Sequence, residues 1–293
     1  MAKYIGTYAS SGDVQTALDN LELSRPFIAY TTDNDKVYYG PAAVKAEVGD
    51  IVVYSVSDDL LHYIKQADYN TTSYPSASYV PVGVVAYPQA DDMFSGLSGE
   101  ITFMGLNWLD KNHPDTGNTS KQKIEWGYTN FDIPELTNYA NSDTAITDMN
   151  GKANTEIVLN YATAQTDWKT ASAITFTDAA GYYPLFECSW RYHTSGTVQG
   201  DWFVPACGQV YYLYNNVDIL NAINLSFANL GASTYEFERS STKGTSTECN
   251  GAKAWRFYKD TSSERFESFG KERSDHYNGY PSKPLCTKLM TRI

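Results

Sequence analysis

The sequence predicts an α+β protein in which an N-terminal docking segment and a small β-rich module precede a half built of helices and then short strands. Three observations carry that expectation. Short β-branched and aromatic runs bounded by Gly, Pro, Asn and Asp fill the first ninety residues. Apolar residues recur at helical spacing across 154–162, 206–214 and 218–230. After Gly231 the apolar period changes to two. Together these divide the chain into a docking segment over 1–40, a β-rich module with loops over 41–150, and a C-terminal domain over 151–293.

In the docking segment, Ser10-Ser11-Gly12-Asp13 offers a helix start, Val14, Ala17, Leu18 and Leu21 share one side, and Pro26 ends the run. One short helix does not fold alone, so this segment is expected to dock on its own chain or on another protein. Phe27–Tyr30, an Asp33-Asn34-Asp35 turn and Val37–Tyr39 read as a hairpin. Further strands are expected at Ile51–Val56, Leu60–Ile64 and Val80–Tyr87. From Gln89 to Gly151 apolar residues thin out and turn residues cluster, which makes Asn150-Gly151 a boundary.

The C-terminal half is more regular. Asn154-Thr155-Glu156 can cap a helix with Ile157, Val158, Tyr161 and Ala162 on one side. A second helix is expected over Ala206–Tyr214, and a third from Asp218 that Gly231 stops. Ala254–Tyr258 and Arg265–Phe269 then alternate as strands, and Leu285–Leu289 can close a sheet.

With 22 basic and 34 acidic residues the formal charge is −12. A net negative field argues against nucleic acid as the main partner, since phosphate binding needs a basic footprint. The charge is uneven: Ser233–Ile293 holds 11 Lys/Arg against 8 Asp/Glu, a net of +3, and the preceding residues hold 11 against 26, a net of −15. On that split the terminal segment reads as a contact surface. The 24 Tyr outnumber the 12 Phe, and Tyr beside Ser, Gly and Asn is the chemistry of adaptable binding loops. No apolar stretch approaches the roughly 18 residues a membrane helix needs, so membrane insertion is not expected. Met1–Tyr8 lacks a basic start followed by an apolar stretch, which argues against a secretory signal. Cys188, Cys207, Cys249 and Cys286 stand far apart with no C-x-x-C pair and are expected as buried free thiols.

Gly181-Tyr182-Tyr183-Pro184, Trp190-Arg191-Tyr192-His193-Thr194, Gly200-Asp201-Trp202-Phe203-Val204-Pro205-Ala206 and Gln209-Val210-Tyr211-Tyr212-Leu213 resemble the core of C-type-lectin-fold domains in gut bacteriophage and Bacteroidales proteins. Those include the variable target proteins of diversity-generating retroelements. Arg239–Lys243 and Ala252–Phe257 are similar to that family's later strands. Pro81–Pro88 and Tyr4–Ala9 resemble N-terminal modules of virion proteins of the same phages, crAss-like ones included. Two positions depart from the family: Phe237-Glu238-Arg239 stands where it has a Trp before Ser-Ser, and Lys243 where it has a Glu. The resemblance implies a C-type-lectin-like domain over 151–293, with Trp202 and Trp255 in its core. It also implies a virion protein made in the host cytoplasm, a homotrimeric head or tail fibre or decoration subunit attached to other virion proteins through its N-terminal region. Its partner would be a bacterial surface glycan or protein.

The residues supply no catalytic set. His62, His113, His193 and His276 are dispersed without a zinc spacing, no G-x-S-x-G or phosphate loop is present, and the calcium-lectin triplets Glu-Pro-Asn, Gln-Pro-Asp and Trp-Asn-Asp are missing. No metal, cofactor or catalytic residue is therefore expected. The adjacent carboxylates Asp58-Asp59 and Asp91-Asp92 leave a polysaccharide hydrolase as one alternative, and a structural decoration or cement protein is the other. The expected receptor-binding residues are Tyr235, Phe237, Arg239, Lys253, Arg256, Tyr258, Arg265, Phe269, Arg273 and Tyr277, because Arg and Tyr carry contact energy and the intervening Ser, Gly and Asn let loops adapt.

Overall fold

A computed structural model describes residues 5–8, 28–31, 36–39, 46–87, 101–121, 124–127, 131–164, 183–237, 241–259, 264–271, 280–288 and 290–293. It is an α+β structure of helices and largely antiparallel sheets. The chain divides into two compact units, residues 1–103 with 287–293 and residues 104–286. The division falls within strands rather than at Asn150-Gly151, which lies well inside the second unit.

In the first unit β1 (Ile5–Tyr8) pairs in parallel with β2 (Ile28–Thr31), which pairs antiparallel with β3 (Lys36–Tyr39). The hairpin of β2 and β3 follows the expected strands, while its turn and the helix expected over 10–21 lie outside the described residues. A second sheet centres on β4 (Ile51–Ser55), flanked antiparallel by β5 (Leu60–Ile64) and β6 (Tyr79–Tyr87). Ile51, Val52 and Val53 are consecutive and all buried, so both faces of β4 are covered and its apolar run is continuous rather than alternating. Pro81 sits inside β6 at the cost of register: Val52 opposes Gly83 and Val53 opposes Pro81. Val82 is thus the extra residue of a bulge, the place in a sheet where a missing N–H is tolerated.

Buried Asp50 ties this unit together, accepting from the backbone N–H of Glu47 at 2.7 Å and of Gln66 at 3.1 Å and pairing with Lys65 at 3.1 Å. The chain passes into the second unit within β7 (Ile101–Gly105) and leaves it within β12 (Leu285–Lys288). Strand β13 (Thr291–Arg292) then adds in parallel beside β5.

The second unit carries α1 (Ser142–Ala145), α2 (Gly151–Ala164), α3 (Pro184–Arg191), α4 (Cys207–Asn215) and α5 (Val217–Asn229). Its antiparallel sheet has the order β11 (Glu264–Gly270), β10 (Lys253–Lys259), β9 (Ser241–Asn250), and the short β8 (Trp202–Phe203) pairs with β12. Helix α2 begins three residues before the expected cap. Asn154 and Thr155 lie within it and bond inward: Asn154 Nδ2 donates to Asp148 at 2.8 Å, and Thr155 Oγ1 accepts from the Val204 N–H at 3.0 Å. Gly151 is not a linker residue but a crossing point, because a Cβ there would lie 2.3 Å from Gln209 Oε1. At the start of α4, Gln209 Oε1 accepts from the Ala206 N–H at 2.8 Å and Thr247 Oγ1 accepts from the Cys207 N–H at 2.8 Å, satisfying two of the donors a helix start leaves open. Helix α5 stops as expected at Gly231, whose φ of 66° favours glycine.

The core of this unit gathers Trp126 edge-on to Phe186 at 4.8 Å and Trp202 edge-on to Tyr192 at 4.9 Å. Trp202 and Trp255 are both buried, and the four cysteines are free and buried. Among the described residues no helix is long and apolar enough to cross a membrane.

Candidate functional site

Strict alternation along β10 and β11 decides which of the expected contact residues can meet a partner. Arg256 pairs with Glu267, Tyr258 with Arg265 and Ala254 with Phe269, so these six side chains share one face of the hairpin. The opposite face holds Trp255, Phe257 and Phe266, all buried. There Phe257 stands edge-on to Phe237 at 4.7 Å and to Phe266 at 5.2 Å.

On the first face cations and rings interleave. The Arg256 guanidinium lies 3.5 Å from the Phe269 ring centroid and 5.5 Å from that of Tyr258, and the Arg265 guanidinium lies 5.8 Å from Tyr258. Glu267 joins the two arginines, accepting from Arg256 Nη2 at 2.7 Å and from Arg265 Nε at 3.2 Å. The ladder is graded in depth: the Arg256 side chain is 2% exposed, Glu267 20% and Arg265 54%. Each cation-ring contact contributes about 0.5–1 kcal/mol at an exposed position and more when desolvated. Arg256 is thus a fixed support, and Arg265 with half-buried Tyr258 and Phe269 presents the surface.

The other expected residues are distributed differently. Lys253 is exposed at the start of β10. Arg239, Arg273 and Tyr277 lie outside the described residues. Tyr235 and Phe237 are buried, a correction to their expected display. Tyr235 stacks on Trp108 at 5.5 Å, and Phe237 packs against Tyr214 and Phe257. Arg256 is corrected in the same sense, from contact residue to support.

The basic balance of 233–293 has the same fate. Lys243, Lys271 and Lys283 are fully buried and Arg256 is buried with them, so four of the 11 cations that suggested a basic tip are interior. What holds these lysines inside is the aromatic rings and carbonyls around them, most of them remote in sequence. Lys243 Nζ donates to the Glu236 carbonyl at 2.6 Å and lies 5.1–5.5 Å from the ring centroids of Tyr235, Phe237 and Trp108. Lys283 Nζ donates to the carbonyls of Leu106 and Gly105, with Phe227 at 4.1 Å and Trp108 at 5.4 Å. Lys271 pairs with buried Glu248, donates to the Phe131 carbonyl at 2.9 Å and lies 4.6 Å from Trp126.

Burial pushes the Lys283 ammonium down to about 7 from 10.5, and it pushes the Glu187 carboxyl up to about 7 from 4.5, with Arg191 opposing the second shift. Folded Lys283 holds its proton less tightly than unfolded, so it costs stability below about 7 and the cost vanishes as pH rises towards 10.5. Folded Glu187 holds its proton more tightly, so its contribution is full below 4.5 and is lost as pH rises through about 7. Conformational stability is therefore expected to pass through a trough near neutrality. Urea midpoints measured from pH 5 to 9 (about 1.4 kcal/mol per pH unit at most for one group) should rise on the alkaline side. Lys283→Met should flatten that side; an unchanged alkaline slope would exclude Lys283 as its source.

The remaining acidic and histidine side chains have local partners. Asp58 meets His62 Nε2 at 3.0 Å and Asp59 accepts from Tyr54 Oη at 2.7 Å; Asp91 and Asp92 lie outside the described residues. His193 is exposed, its Nδ1 2.9 Å from the Arg191 carbonyl, and His113 meets Asp110 at 2.8 Å. Among the described residues no group of three or more His, Cys, Asp or Glu could hold a metal ion. Burial raises the Cys188 and Cys207 thiols well above their ordinary range, which keeps both as neutral thiols.

Compared with protein families, with curated proteins and with solved structures, the chain finds no match in any of the three.

Proposed function

We propose that this chain is a bacteriophage virion protein, a homotrimeric head or tail fibre or decoration subunit that attaches to the particle through its N-terminal region. In this reading the C-terminal part has a C-type-lectin-like fold and contacts a bacterial surface glycan or protein. The observation that carries the contact role is the β10–β11 face. Exposed Arg265 and half-buried Tyr258 and Phe269 stand on a rigid hairpin with Arg256 and Glu267 locked beneath them. Planar cations and rings held at low entropy cost are the side chains that dominate binding energy. The attachment and lectin-like parts of the reading rest on the motif resemblance.

Removing residues 233–293 would not test it, since β9, β10, β11 and β12 are built from them. Point changes on the face will. In phage carrying Tyr258→Ala with Arg265→Glu, particles should assemble with the subunit present and adsorb to their host at least about tenfold less well, the effect of losing one contact residue of about 1.4 kcal/mol. Normal adsorption by such particles would eliminate the receptor role of this face. Loss of the subunit from otherwise complete particles would instead favour the decoration or cement reading, in which the same face meets a neighbouring capsid or tail protein.

A further inference from the structure

We propose that Lys271 and Glu248 are the two ends of an intramolecular isopeptide bond, a covalent staple between β9 and the residue that follows β11. The inference does not depend on the proposed function. Both side chains are fully buried and in contact. Both backbones are pinned: the Lys271 N–H donates to the Ala252 carbonyl at 3.1 Å, the Trp126 N–H donates to the Lys271 carbonyl at 3.0 Å, and the Tyr139 N–H donates to the Glu248 carbonyl at 3.1 Å. Amine and carboxyl therefore meet from two outer strands of one sheet with little freedom. Intramolecular positioning of this kind corresponds to effective concentrations of about 10⁵–10⁸ M.

The surroundings favour the uncharged reactants and the uncharged product. Burial raises the Glu248 carboxyl to about 7 and lowers the Lys271 ammonium, each opposed by the other's charge. Glu248 Oε2 is buried with no hydrogen-bond partner, so the site does not satisfy a carboxylate in full, and a buried ion pair with an open polar atom is a costly arrangement. An amide removes both charges. Its one remaining N–H keeps the bond that Lys271 Nζ makes to the Phe131 carbonyl. The Trp126 ring, 4.6 Å from Nζ, closes the site on the amine side.

The step balances without a co-reactant. The ammonium passes one proton to the carboxylate, the Nζ lone pair attacks Cδ, and the C–N bond forms as the C–OH bond breaks. A second nitrogen proton leaves with the hydroxyl, so the only by-product is one water.

The test is mass spectrometry of the folded full-length chain after denaturation. The protein should weigh one water less than its sequence. Trypsin should release a branched peptide in which residues 244–253 are joined to residues 266–273, uncleaved after Lys271. The Lys271→Met chain should have its full sequence mass. A wild-type chain at full mass with separate 244–253 and 266–271 peptides overturns the proposal, and so does a deficit of one water without the branched peptide, which would place the dehydration elsewhere.

Discussion

Asp148→Ala is expected to lower the stability of the second unit by about 3–5 kcal/mol. The Asp148 carboxylate is buried and accepts from Thr247 Oγ1 at 2.7 Å, Asn154 Nδ2 at 2.8 Å and the Asn150 N–H at 3.0 Å. These donors come from β9, from α2 and from the turn between α1 and α2, so one side chain joins three parts of the chain. Alanine leaves the Thr247 and Asn154 donors facing an interior without water, while Asn150 is exposed, and each buried donor left open costs about 1–3 kcal/mol. The sum falls short of two full penalties because neighbouring losses are not additive. Asp148→Asn keeps one acceptor oxygen and should cost less than the alanine change. Urea unfolding of the three chains checks this, and a loss under about 1 kcal/mol for Asp148→Ala would show that the network contributes little.

That network also shows what could not be read in the sequence. The helices over 151–164, 207–215 and 217–229 and the strands β2 to β6 were legible because their apolar residues repeat at 3.6 or fill a short run. Strand β9 has no such pattern: Ser-Thr-Lys-Gly-Thr-Ser-Thr-Glu-Cys-Asn reads as a polar loop, yet residues 242–249 are buried. Polar residues can be buried where each finds a partner. Thr245 Oγ1 donates to the Trp255 carbonyl at 2.7 Å and Thr247 serves Asp148 and Cys207. Those partners are remote in sequence, so no local period reveals them. Helix α3 was missed for a related reason, since buried Glu187 and Ser189 break its apolar side.

The contact face was half legible. Alternation over Ala254–Tyr258 and Arg265–Phe269 identifies two faces, but both mix aromatics with polar residues, and nothing local tells which one turns inward. The packing of Tyr211, Tyr214 and Phe237 against Phe257 and Phe266 decides it. The decision removes Tyr235, Phe237 and Arg256 from the contact surface. It also narrows the electrostatic reading, because a cation serves a contact surface only from outside. Here ring faces and carbonyls hold several of them inside.

Trp108 makes that arrangement measurable. Trp108→Leu is expected to cost about 3–5 kcal/mol, as large-to-small changes of a fully buried aromatic do. Part of the loss is volume and part is the hydrogen bond from Nε1 to Ser233 Oγ at 2.8 Å. The rest is specific to the ring: Lys243 and Lys283 place buried ammoniums 5.5 and 5.4 Å from its centroid, and a desolvated cation-ring contact contributes about 2 kcal/mol. Leucine fills much of the space but offers no quadrupole, so the ammoniums would keep their desolvation cost with less to offset it. Trp108→Phe retains a ring face and should cost less than Trp108→Leu even though it also loses the indole N–H. A double-mutant cycle isolates the electrostatic part. At pH 5, where Lys283 with its value near 7 is charged, Trp108→Leu should cost about 1 kcal/mol less in a Lys283→Met background than in the wild-type chain, the size of coupling expected between groups in contact. Equal costs in the two backgrounds would mean that the indole only fills space and that the backbone carbonyls alone hold the Lys283 charge.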